Sequence, residues 1–206
     1  MRVGSTAQHP VDAGRIEQGS IEAWISHPRV DGDMAVTRTL PAARPDAPRN
    51  PERFQLPLFL FGIGLGGFVD GIVLHQILQW HHMISDTAEG QMTTVAGLEA
   101  NTLADGLFHA FAFLIVVVAL YLTMRIRRLD ATAVLPSGGV TTGWLLVGWG
   151  AFNVVEGLVD HHLLTIHHVR DDVTDALAWD LSFLGMSVVL LAVGVALVRR
   201  GRSLDR

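Results

Sequence analysis

Four apolar stretches, 56–80, 98–124, 143–166 and 176–198, dominate this 206-residue chain, each 23 to 27 residues long. At about 1.5 Å of rise per residue, a helix of that length crosses a hydrocarbon core of about 30 Å. The competing fold is a soluble four-helix bundle, which requires a polar stripe on each helix. AFAFLIVVVALYLTM (110–124) and LSFLGMSVVLLAVGVALV (181–198) are apolar all round and carry no such stripe. Only 17% of the residues are charged, against roughly 25% in soluble proteins. The expected fold is therefore all-α, a four-transmembrane-helix bundle over residues 54–200. The first 53 residues hold six of the eight prolines and a mixture of both charges, which predicts a disordered tail.

Composition removes several classes of function. With no cysteine, disulfides, thiolate zinc sites, iron–sulfur clusters and covalent c-type haem are excluded. All fifteen basic residues are arginines, so there is no Schiff-base lysine and no P-loop lysine. A net charge of -5 without a basic stripe argues against nucleic acid as a partner. The start of the chain shows neither the apolar run of a secretory signal nor a twin-arginine motif.

Arginine sets the expected orientation. Arg38, Arg44, Arg49 and Arg53 precede the first helix, Arg125, Arg127 and Arg128 lie between the second and third, and Arg199, Arg200, Arg202 and Arg206 follow the fourth, against Arg170 alone on the other side. The positive-inside rule then places both termini in the cytoplasm of a multi-pass cell-membrane protein. The two loops on the outer side are acidic and rich in histidine.

The chemistry sits in an internal repeat. DGIVLHQILQWHHM (70–83) aligns without a gap on EGLVDHHLLTIHHV (156–169) at a constant offset of 86, and Gly62 and Gly64 fall over Gly148 and Gly150. This density of matches predicts two tandem two-helix repeats, about 56–127 and 142–198. Looser similarity sets Asp105 to His109 opposite Asp175 to Trp179. On a helical wheel at about 100° per residue, Asp70 and His81 cluster, with His75 and His82 about 100° further round. Glu156, Asp160 and His167, then His161 and His168, reproduce the pattern, and His162 points away. Asp105 and His109 stand one turn apart, where two side chains can share an ion.

An ionised carboxylate near the bilayer centre costs about 2.5 to 3.5 kcal/mol even on a lenient scale, so Asp70, Asp105, Glu156, Asp160 and Asp180 together cost on the order of 10 kcal/mol. A bound divalent metal is one way to offset that sum. The candidate ligands are Asp70, His75, His81, His82, Asp105, His109, Glu156, Asp160, His161, His167, His168 and Asp175. Carboxylate and imidazole without thiolate suit iron, manganese or zinc, with iron and zinc foremost, and Met83 and Met92 keep copper open.

The expected function is an integral membrane metalloprotein with a mononuclear or dinuclear site in the outer half of the bundle, open between oxidoreductase, hydrolase and no catalysis. A metal-handling protein for copper or zinc is the second reading. A haem protein with His75 and His161 as axial ligands, and a proton relay without metal, are lesser ones. The H-x5-H-H spacing differs from the histidine boxes of membrane desaturases. Beyond the lipid bilayer, the glycines at 62, 66, 67 and 71 are compatible with a homodimer, and the redox or metal-donor partner is open. The repeated D/E-G-x-x-x-H-x-x-L-x-x-H-H pattern resembles a family of predicted prokaryotic membrane proteins, domain of unknown function 2243, over about residues 54–200. That resemblance implies a membrane location and no particular activity.

Overall fold

The computed structural model describes residues 51–204. The tail expected over 1–53 lies outside the described residues except for its last three, which enter a 3-10 turn, Pro51–Phe54. Helix α1, Gln55–Val69, runs directly into a π-helical stretch, Asp70–Leu78. Helix α2 is Val95–Leu129. Helix α3, Gly138–Glu156, continues into a second π-helical stretch, Gly157–Leu163, and α4 is Ala176–Leu204. Four helical spans of 27, 35, 26 and 28 residues are long and apolar enough to cross a membrane.

Glycine sets how the helices pack. A Cβ on Gly62 would strike the Leu145 carbonyl, and one on Gly148 would strike the Phe59 carbonyl. The two contacts exchange partners across a pair of helices, so α1 and α3 cross in parallel with their backbones in close approach, as small residues permit between membrane helices. On the outside of this pair, Gly64 packs on Ala112 and Val116 of α2, and Gly150 on Ser187 and Leu191 of α4. These partners are related by an offset of 75, whereas the first helices are related by 86.

Polarity is inverted relative to a soluble fold. The buried residues include Asp70, His75, Asp105, Glu156, His161 and Asp180, while Leu103, Phe111, Leu114 and Tyr121 of α2 and Leu177, Leu181, Met186 and Val188 of α4 are exposed. An apolar girdle of that extent is a liability in water and is the surface a bilayer solvates. Arg125, Arg127, Arg128, Arg199, Arg200 and Arg202 lie at one end of the bundle, and the buried ionisable groups gather toward the other.

Both inner helices end alike. Gln79 and Thr165, 86 residues apart, take left-handed backbone angles, φ 51° and 48°. Trp80 then donates its N–H to the Leu74 carbonyl at 3.0 Å, and Ile166 to the Asp160 carbonyl at 3.0 Å. This is the six-to-one closure of a Schellman turn, built without the usual glycine. It stops the helix and sends the following His pair back over the bundle end. The wheel reading, which kept His81, His82, His167 and His168 on a continuous helix, is corrected here: all four lie beyond the helix ends. The outer loops are strapped together by Asp86 N–H on the Ile166 carbonyl and Asp171 N–H on the Trp80 carbonyl, both 2.9 Å.

Candidate metal centre

The π-helical stretches explain the D/E-x4-H spacing. Five residues on an α-helix are about 140° apart, but a π-helix, bonded from i to i+5, brings them onto one face. His75 Nε2 accordingly stands 3.1 Å from Asp70 Oδ2, and His161 Nε2 3.2 Å from Glu156 Oε1. The turned-back histidines complete the group. His81 Nε2 lies 3.9 Å from Asp70 Oδ1, and His167 Nε2 3.4 Å from Glu156 Oε1. The His81 and His167 rings stack at 4.6 Å between centroids, 6° from parallel. All six side chains are at most 6% exposed.

Tautomers follow from the partners. His81 Nδ1 is 2.8 Å from the Val169 carbonyl and His167 Nδ1 is 3.0 Å from the Met83 carbonyl. A carbonyl only accepts, so both Nδ1 atoms are protonated donors. His75 Nδ1 donates in the same way to Asp105 Oδ1 at 3.0 Å. Where such a ring is neutral, as His81 is, the remaining Nε2 is a lone pair facing a carboxylate oxygen. Lone pair against lone pair is repulsive unless a cation, either a proton or a metal ion, stands between them. His75 Nε2, His81 Nε2, both ring nitrogens of His161, Asp70 Oδ1 and Glu156 Oε2 have no hydrogen-bond partner among the described residues. No arginine pairs with Asp70 or Glu156 among them either.

Two trios bring their ligand atoms within 4.8 Å of one another: Asp70, His75 and His81, and then His81, Glu156 and His167. Two ligands bonded at about 2.0–2.1 Å to one tetrahedral ion stand about 3.3 Å apart. The separations of 3.1, 3.2 and 3.4 Å have that size. The electrostatics treat the two stacked imidazoles differently. Burial, then the neighbouring His167 and His75, push the His81 imidazole down to about 2, which keeps it neutral. For His167, burial opposes protonation but the Glu156 hydrogen bond and charge outweigh it and raise it above the ordinary range.

A second ring holds the first. Asp105 takes His75 Nδ1 and the Met83 N–H (2.9 Å) on one oxygen, and His82 Nδ1 (2.6 Å) and Gln76 Nε2 (3.0 Å) on the other. Asp180 takes the Val169 N–H at 2.9 Å and His168 Nδ1 at 2.7 Å. Its Oδ1 is 3.7 Å from His161 Nδ1. Phe108 lies 5.7 Å from the His75 ring and Phe183 5.4 Å from that of His161. Asp105, His82 and His168, expected as ligands, thus sit one shell out, where carboxylates and histidines orient the inner rings.

Three other expected ligands stand apart. Asp175 is exposed and accepts the Ala178 N–H at 3.3 Å at the start of α4. The counterpart of Asp105 is Asp180, so the looser register proposed from sequence is corrected to an offset of 75. The pattern D-x-x-F, at 105–108 and 180–183, carried that signal. His109 gives Nδ1 to the Asp105 carbonyl at 2.7 Å, and its Nε2 lies against Gly71, where a Cβ would come within 2.6 Å. Asp160 is half-buried and belongs to neither trio. His162 is exposed, with Nδ1 3.0 Å from the Gly157 carbonyl. Sequence reading passed over Gln76, Phe108, Phe183 and the two carbonyls that fix the tautomers.

No curated protein and no solved structure matches the chain. A family model described as "Predicted membrane protein (DUF2243)" matches residues 58–201, from the start of α1 to the end of α4. The glycine crossings, both π-helical turns and all six inner residues fall within the match, and the chain belongs to this family of predicted membrane proteins.

Proposed function

We propose that this protein is an integral membrane metalloprotein whose resident centre holds one or two divalent ions, iron first and zinc second. The observation that carries the reading is the pair of crossed carbonyl contacts. By fixing Nδ1–H on His81 and His167, they turn both Nε2 atoms toward a buried site that already holds two carboxylates. Metal-bound histidines show this arrangement, with the far ring nitrogen donating to a carbonyl or carboxylate.

Four imidazoles and two carboxylates suit iron or zinc. Met92 supports neither copper nor an inner ligand role, since its sulfur receives the Asn101 side-chain N–H at 3.4 Å. Burial of the donors weighs against a transit site that exchanges ions with the outer loops. It also weighs against hydrolysis of a large polar substrate, because a metal-bound water must meet that substrate. Redox chemistry, by electron transfer or on a small molecule, is compatible with a closed site, and iron supplies it. The arginine distribution supports a centre near the outer face.

The test is elemental analysis with an optical spectrum on detergent-purified protein. One or two irons or zincs per chain without a haem Soret band are expected, with the ions lost from the His81→Ala, His167→Ala double variant. Folded protein that stays metal-free after reconstitution overturns the proposal.

A further inference from the structure

The two halves of the centre are built from the same residue types but held unequally. In the first half, Asp105 grips the back of His75 at 3.0 Å and is itself fixed by four donors, Gln76, His82, the Met83 N–H and His75. In the second half, Asp180 lacks the amide donor, because the residue at the position of Gln76 is His162, which turns to the Gly157 carbonyl instead. The Asp180 oxygen stands 3.7 Å from His161 Nδ1, which has no hydrogen-bond partner among the described residues. Thus His75 is oriented by a bonded carboxylate, and His161 is not.

Resting on the metalloprotein reading, we propose that the centre comprises two inequivalent ion positions. Asp70, His75 and His81 form a tight position that fills first. Glu156, with the Nε2 atoms of His161 and His167 at 3.2 and 3.4 Å from its Oε1, forms a weaker one that fills second and exchanges first. Asp105 is the positioning residue that sets the order. Loss of such an outer-shell partner typically lowers metal affinity about 10- to 100-fold, and the two steps are expected to differ by a factor of that size. A centre loaded in this order also accepts two different metals in a defined arrangement.

Cobalt(II), whose d–d bands report each coordination environment, is titrated into metal-stripped full-length protein in detergent. Two equivalents entering in two resolved steps with distinct spectra are expected. In Asp105→Asn the first step weakens about 10- to 100-fold and the spectrum of the second is kept. Gln76→Leu changes an exposed position, preserves the fold, and shifts the first step alone by a smaller factor. Asp180→Asn leaves the first step in place. One equivalent, two equivalents on a single isotherm, or a first step unmoved by both Asp105→Asn and Gln76→Leu overturns the inequivalence while leaving the metal reading intact. No cobalt bound by the unaltered protein overturns the metal reading itself.

Discussion

The first and second halves of this bundle share a construction and differ in a few side chains. Shared are the glycine crossings, the π-helical turn that lines up a carboxylate with the histidine five residues on, and the left-handed stop. Also shared is the imidazole whose Nδ1 is held by the other half's carbonyl. Among the differences at or beside the centre are Asp70 against Glu156, Gln76 against His162, Leu74 against Asp160, and His109 against Leu184. What is common builds a buried cluster of carboxylates and imidazoles, and what differs falls to one side of it. Because each half supplies the carbonyl that fixes the other half's histidine, neither half makes the site alone.

Cutting that exchange gives the largest effect. His81→Ala alone removes a ligand of the tight position whose Nε2 also lies within reach of Glu156 and His167, and it is expected to cost more metal than His161→Ala, whose ring is less firmly held. Elemental analysis after gel filtration compares the two. Equal losses would mean that the two positions hold their ions equally. Next in size are Gly62→Ala and Gly148→Ala, each of which sets a methyl group against a backbone carbonyl. Backbone yields little, so each is expected to lower stability by about 1–3 kcal/mol, and by equal amounts. Thermal unfolding in detergent measures this, and a harmless substitution at either glycine would show that the halves do not cross alike.

How much of this the sequence displays depends on which physical constraint acts on which residue. Hydrocarbon demands some twenty apolar residues per crossing, so the helices of a membrane protein are written in composition. The offset of 86 exposes Asp70 with Glu156 and His75 with His161 because the inner helices and their turns keep one length. It fails for Asp180 because the second connection is shorter, which moves the register to 75 and made Asp175 the apparent match. A helical wheel assumes about 100° per residue and therefore hides both the π-helical alignment and the left-handed break at Gln79 and Thr165. Residue type alone cannot separate a ligand from its support: Asp70 and Asp105 are both buried aspartates, and what tells them apart is that Asp105 takes the Nδ1 atoms of His75 and His82 while Asp70 faces the Nε2 atom of His75.

His109 sharpens the comparison from the first half. Its Nε2 is buried without a hydrogen-bond partner among the described residues, while the second half has Leu184 packed on Gly157 at the matching place. A buried unsatisfied polar atom costs about 1–3 kcal/mol, so His109→Leu is expected to stabilise the protein by about 1 kcal/mol with metal content unchanged. Metal loss in this variant would place His109 in the centre.

The smallest effect concerns the helix stops. A non-glycine residue in the left-handed region costs roughly 1–2 kcal/mol, of which glycine's greater freedom in the unfolded chain offsets a part. Gln79→Gly and Thr165→Gly are each expected to stabilise by about 0.5 kcal/mol. Thr165 should gain more, since a β-branched side chain is the worse fit there, and its exposed hydroxyl bonds only the neighbouring Leu164 carbonyl at 2.8 Å. Unfolding midpoints of the two variants rank them. If either glycine weakens metal retention instead, the left-handed residue does more than stop a helix: its restricted backbone holds the following histidine over the centre, and the freedom glycine adds there is freedom for that ring to leave it.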